Sequence, residues 1–383
     1  MLQITNARVH TPDGVIERGS VLVDGARIVA AGPAAGMAAA PGARQIDAGG
    51  RILAPGFIDL QLNGAFGHDF TADPSTIWDV AARLPRYGVT AFLPTIITAP
   101  LDQVEAGLRV VTGGRPKDFR GALPLGVHAE GPFLNLKKKG AHNQHYLRLP
   151  TPDAIAGWSP ASGMRLVTMA PELPGALEVI MALTARGVAV STGHSMATYD
   201  EAVAGFDAGA RYGTHLFNAM PALGHRDPGL PGALLCDDRM IVGFIADGVH
   251  THRSIIGLVW KMLGPKRMSL VTDAMAALGM PPGKHRLGDY DVYVDATSAR
   301  LADGTLAGSI LELDQALRNL IDITGCPLSE ALETMTTTPA GLLGLEGERG
   351  RIAPGLAADM VLLSSSLKVD ATIAAGEVVF SAA

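Results

Sequence analysis

Gly187–Ser195 reads GVAVSTGHS and Tyr212–Asn218 reads YGTHLFN, with a helix-length segment between them. Both runs are short, apolar and strand-like, and each carries a histidine near its C-terminal end. The alternation continues in both directions. Upstream lie FIDLQLNG from Phe57, GVTAFLPTII from Gly88, LPLGVHAEG from Leu123 and RLVTMAPE from Arg165. Downstream lie VGFIADGVH from Val242 and SLVTDAM from Ser269. The segments between them, such as STIWDVAARLPRYG, LDQVEAGLRVV, GALEVIMALTARG and THRSIIGLVWKML, place apolar residues at three- and four-residue steps, the period of an amphipathic helix. Eight strand-helix alternations predict a (β/α)8 barrel. An open doubly wound sheet is the competing layout, but no GxGxxG follows the first strand.

The two chain ends have a different character. LQITNARVH, SVLVDG and RIVAAG at the start are punctuated by Pro12-Asp13-Gly14 and Asp24-Gly25, and DMVLLS, VDATIAAG and EVVFS close the chain. They predict a small β-sandwich built from residues 1–52 and 346–383, flanking a barrel over residues 53–345. The chain of 383 residues is 48% hydrophobic and 18% charged, with Gly and Pro together under a fifth, which excludes wholesale disorder. A net charge of −6 gives no basic footprint for nucleic acid or an anionic membrane. No targeting segment or membrane-length apolar run is apparent, so a cytoplasmic protein is expected. Cys236 and Cys326 are the only cysteines and lack CxxC spacing, which excludes a disulfide framework.

A buried parallel strand is normally apolar throughout, so polar residues at strand C-termini need a reason. Here they are Asp59, Gln61 and Asn63, then His128 and Glu130, Glu172, His194, His215, Asp247 with His250, and Asp273. In a barrel they converge on one mouth. Taken singly, each histidine fits a hydrogen-bonded core residue. One carboxylate and two imidazoles from three strands form instead an open metal site of the catalytic kind, and Glu130, His194 and His215 are the ligands chosen. Asp273 is placed to take a proton from a water activated there and pass it to a leaving group, although capping the following turn would also account for it.

The segments APGFIDLQLNG, HAEGPFLNLKKKGAH, STGHSMATYDEA, THLFNAM with HRDPG, IADGVH, LVTDAMAALG and GRIAPGLAADMVLL occur in an order that spans nearly the whole chain. In them the sequence resembles the N-acetylglucosamine-6-phosphate deacetylases of the amidohydrolase superfamily. The resemblance implies Glu130, His194 and His215 as metal ligands and Asp273 as general base and acid. It places His142 beside the acetamide, polarising the carbonyl, and Ala141 among the substrate-binding residues. Asn218, Ala219, Arg226 and His250 would hold the sugar phosphate, Arg226 as its main anchor, and Leu306, Ala307 and Gly308 would line the sugar pocket. The implied reaction yields glucosamine 6-phosphate and acetate, in amino-sugar catabolism or recycling, and the implied assembly is a homodimer in which one subunit contributes to its neighbour's phosphate site.

Many amidohydrolases carry His-x-His at the end of the first strand, where this chain has Gln61-Leu62-Asn63. Glutamine and asparagine replace imidazoles poorly on such metals, so one divalent ion per subunit is expected, zinc before iron, cobalt or manganese. Lys137, Lys138 and Lys139 are assigned to a solvated loop outside the site. His10, His68, His145, His225, His252 and His285 are also set outside. A dihydroorotase- or hydantoinase-type enzyme is the nearest rival, but Glu130 stands where its carbamylated lysine would be. A scaffold protein without catalysis is the alternative of a different class, at odds with a complete ligand set.

Overall fold

The computed structural model describes residues 1–382 and shows a (β/α)8 barrel joined to a β-sandwich formed by both chain ends. The eight barrel strands run Phe57–Leu62, Val89–Ile97, Val127–Glu130, Met164–Met169, Ala189–Thr192, Tyr212–Gly213, Ile241–Phe244 and Met268–Leu270. All neighbouring pairs are parallel. The ring closes through a parallel bridge between Leu62 and Ala274, with the Asn63 and Asp273 amides donating across it at 2.8 and 2.9 Å. Large apolar side chains from successive strands, among them Phe57, Phe92, Tyr212 and Phe244, fill the core and are at most 2% exposed.

The end strands form one hydrogen-bonded sheet. Leu2–Thr11 pairs with Gly14–Asp24 on one side, and with Arg44–Asp47 and Ile52–Pro55 on the other. Ile52–Pro55 in turn pairs antiparallel with Met360–Leu363 near the other end of the chain. The sheet curls over a separate core that includes Ile4, Val9, Val21, Ile28, Leu53, Met360 and Ile373. A single residue, Gly56, separates this sheet from the first barrel strand. A Cβ there would stand 2.2 Å from the Thr90 hydroxyl oxygen, so the chain passes into the barrel only as glycine.

Two departures from the sequence reading have physical causes. STIWDVAARLPRYG is not one helix: a short helix, Ile77–Ala81, is followed by a separate 3-10 turn, Leu84–Tyr87, because Pro85 has no N–H to continue the ladder. The second departure is an antiparallel unit inserted after the last barrel strand, Gly283–Leu287, Tyr290–Val294 and Ala299–Arg300. Tyr290–Val294 alternates buried with more exposed residues, Gly283–Leu287 buries only Leu287, and Leu287, Val292 and Ala299 cover a third apolar cluster with Ile97, Ala141 and Met275.

Candidate active site

His194, His215 and Asp273 lie two or three residues beyond the ends of their barrel strands, and all three take left-handed backbone conformations, with φ of 49°, 30° and 49°. Non-glycine residues rarely adopt this region, and each instance costs on the order of 1–3 kcal/mol unless its surroundings fix it. The turn brings each side chain over the barrel mouth. Glu130 ends the third strand and is fully buried.

The four groups meet in a cavity of about 470 Å³ at the C-terminal ends of the strands, within the usual range for small-ligand sites. Glu130 Oε1 lies 3.2 Å from His194 Nε2 and 3.1 Å from His215 Nε2, and the two nitrogens are 3.1 Å apart. His194 Nδ1–H donates to the Lys138 carbonyl at 2.8 Å, which fixes the ring orientation and turns Nε2 towards Glu130. Burial would raise the Glu130 carboxyl, but the two histidine hydrogen bonds prevail and hold it well below the ordinary carboxylate range. One carboxylate oxygen and two imidazole nitrogens, all within 4.8 Å of one another and turned to a common point, fit a divalent cation.

Asp273 faces the same cavity. Its Oδ1 accepts from Asn63 Nδ2 at 2.7 Å and Gln61 Nε2 at 3.1 Å, and the Gln61 amide also donates to Glu130 Oε1 at 2.9 Å. Burial and the nearby Glu130 charge push the Asp273 carboxyl up to about 6. His142 Nδ1 accepts from the Thr98 backbone amide at 3.2 Å and lies 2.8 Å from its hydroxyl. The neutral ring therefore carries its proton on Nε2, 3.9 Å from Glu130 Oε2. Burial, reinforced by His194, pushes His142 down to about 3 and keeps it neutral. His250, which lines the cavity, donates from Nδ1–H to Asp247 Oδ2 at 2.7 Å.

Comparison with known proteins agrees with this geometry. The amidohydrolase family model matches residues 52–379. The chain belongs to the amidohydrolase family. It is 41% identical to the N-acetylglucosamine-6-phosphate deacetylase of Rattus norvegicus, over 100% of this chain and 96% of the relative. Among solved structures it is similar to the N-acetylglucosamine-6-phosphate deacetylase of Pasteurella multocida, with a TM-score of 0.92, 31% identity, and coverage of 98% and 99%. It is also similar to a mutant of the Mycobacterium smegmatis enzyme in complex with N-acetyl-D-glucosamine-6-phosphate, with a TM-score of 0.90, 37% identity, and coverage of 99% of each chain.

In this amidohydrolase the cavity is lined by Glu130, Ala141, His142, His194, His215, Asn218, Ala219, His250, Asp273, Leu306 and Gly308. Ala307 is buried behind them rather than lining the space. Arg226 is exposed, bonds to His225 Nε2 at 2.8 Å, and does not line the cavity of its own chain. Lys137, Lys138 and Lys139, set aside from sequence as solvated, do line it, because the 3-10 turn Leu136–Lys138 folds back over His194. Asp303 and Thr305, which follow the inserted strands, also line it and carry no signal in sequence. His128 is a core residue held by Thr95 and Thr168, and Asp59 is buried beneath the mouth against Thr272. Gln61 and Asn63, read from sequence only as missing ligands, hold the Asp273 carboxylate. Among the described residues no helix is long and apolar enough to cross a membrane, and both cysteines are free.

Proposed function

We infer that this amidohydrolase hydrolyses N-acetyl-D-glucosamine 6-phosphate to D-glucosamine 6-phosphate and acetate. The observation that carries the reading is the convergence of Glu130, His194 and His215 beside Asp273 in one buried cavity. Full-length similarity to proteins named for this activity supports it.

Glu130, His194 and His215 would hold the metal, and Zn2+ is the ion we assign to this donor set. A divalent ion there supplies Lewis acidity to the amide carbonyl and lowers the pKa of an adjacent water. Asp273 acts as base: Asn63 and Gln61 occupy Oδ1, and among the described residues no donor reaches Oδ2, which is left to take the proton of the attacking water. The same carboxyl then returns that proton to the departing amine. His142, neutral and protonated on Nε2, donates to the carbonyl oxygen as negative charge develops on it. Ala141, Leu306 and Gly308 border the sugar, with Ala307 packed behind them. Asn218, Ala219 and His250 sit on the phosphate side.

Arg226 cannot serve the cavity of its own chain from where it stands. We assign it to the phosphate site of a second copy, in a homodimer.

Acetate release from N-acetylglucosamine 6-phosphate, beside unphosphorylated N-acetylglucosamine, tests the reading. Turnover confined to the phosphorylated sugar is expected, and none from either sugar by folded, zinc-loaded protein would overturn it.

A further inference from the structure

Glu172 ends the stretch RLVTMAPE, at the C-terminal side of the fourth barrel strand, but it does not line the cavity, and its hydrogen bonds go to Asn135, Ser195 and Met196 rather than to Glu130 or His215. Its two oxygens are nevertheless fully engaged. Oε1 accepts from Asn135 Nδ2 at 3.0 Å and from the Met196 amide at 2.7 Å, and Oε2 accepts from Ser195 Oγ at 2.7 Å. Those partners belong to two separate segments that both hold His194. Ser195 and Met196 directly follow it. Asn135 opens the turn Leu136–Lys138, accepting the Lys137 amide on its side chain at 2.9 Å, and its own amide donates to the His194 carbonyl at 2.9 Å. That turn presents the Lys138 carbonyl to His194 Nδ1.

The hydrogen bonds therefore form a closed circuit: Glu172 to Asn135, through the turn to the Lys138 carbonyl, to the His194 ring, along the chain to Ser195 and Met196, and back to Glu172. His194 is in a left-handed conformation that persists only if its neighbours over-determine it. The carbonyl behind its ring fixes which nitrogen faces the metal. Outer groups of this kind commonly change metal affinity by about 10- to 100-fold when removed.

We propose that Glu172 is a positioning residue for the metal site: by clamping the turn of residues 135–138 to the segment after His194, it sets the ring orientation and tautomer of that ligand. The proposal rests on reading Glu130, His194 and His215 as the metal ligands. It differs from a general packing role in that the effect falls on metal retention.

The test is the zinc dissociation constant, measured by competition with a chromophoric chelator, for the wild-type protein, Glu172→Ala, Asn135→Ala, the double variant and His194→Ala. Glu172→Ala is expected to bind zinc at least about tenfold more weakly. At saturating zinc its kcat should stay within about threefold, and the metal-stripped form should melt within a few degrees of stripped wild type. The double variant should lose less than the two single losses combined, since both cut one circuit. If Glu172→Ala is insoluble, Asn135→Ala, which leaves the Ser195 and Met196 contacts in place, must show the weakened binding by itself. Wild-type affinity in these variants, with His194→Ala losing zinc, overturns the role of Glu172 alone. Unchanged zinc affinity in His194→Ala overturns the ligand assignment on which it rests.

Discussion

Asp273 faces two opposed demands, since a base must be ionised to take a proton and yet basic enough to hold it. Two amide donors on Oδ1 favour the charged form, while burial and the Glu130 charge disfavour it. Asp273→Asn keeps the shape and removes the base, so kcat should fall by about 10²- to 10⁴-fold with zinc still bound, as checked by turnover and metal analysis on the same sample. Asp59, directly beneath, gives a separate reading through stability. Burial pushes its carboxyl up to about 7 despite donation from the Thr272 hydroxyl at 2.6 Å. The folded chain therefore keeps a proton that the unfolded chain sheds near 3.8. Stability from this group is fully present below that value and is lost as pH rises towards 7, at up to about 1.4 kcal/mol per pH unit. Asp59→Asn should flatten that slope in urea titrations of chelator-stripped protein between these limits; an unchanged slope would remove Asp59 as its source. In sequence, the ligands and Asp273 were legible because polar residues at the ends of apolar strands are costly without a use. The task of Gln61 and Asn63 was not, since it depends on the closure that brings the first strand beside the last.

At the scale of elements, the strand ends do the placing and the following loops do the aiming. The helix Tyr199–Asp207 starts only five residues after His194. Its start is fixed by a reciprocal cap, in which Thr198 Oγ1 accepts the Glu201 amide and the Glu201 carboxylate accepts the Thr198 amide. Thr198→Ala should cost about 1 kcal/mol of unfolding free energy, read from denaturant midpoints, and leave zinc stoichiometry unchanged. All eight apolar runs read as barrel strands do form them. Hydrophobic period fixes the kind of element, but the three-stranded insert at 283–300 escaped it. Its strands are short and follow the last expected barrel strand, so they left no room in an eight-unit scheme. Pro85 was visible as a breaker, and its consequence for the first helix follows from its missing N–H.

For the whole molecule, the barrel supplies one complete metal and proton-transfer site, whereas the cations available to a phosphate are divided. Lys137, Lys138 and Lys139 line the cavity from its own chain, and Arg226 lies outside it. Sequence could not separate these cases, because whether a charged loop folds over a mouth or away from it depends on contacts remote in the chain. Arg226→Ala should raise KM for the phosphorylated sugar by about 10- to 100-fold, the range for losing a hydrogen bond to a charged group. If Arg226 serves a second copy, mixing and reassembling Arg226→Ala with Asp273→Asn should restore, at substrate well below the raised KM, a low-KM activity that neither shows alone. No recovery from verified hybrids would contradict that assignment. The central claim is a single metal held by Glu130, His194 and His215 that works with Asp273. Its most direct test is acetate release from N-acetylglucosamine 6-phosphate as metal-stripped protein is titrated with zinc. Activity should rise from near zero and break sharply at one equivalent per chain; a break at two equivalents, or turnover indifferent to zinc, would contradict it.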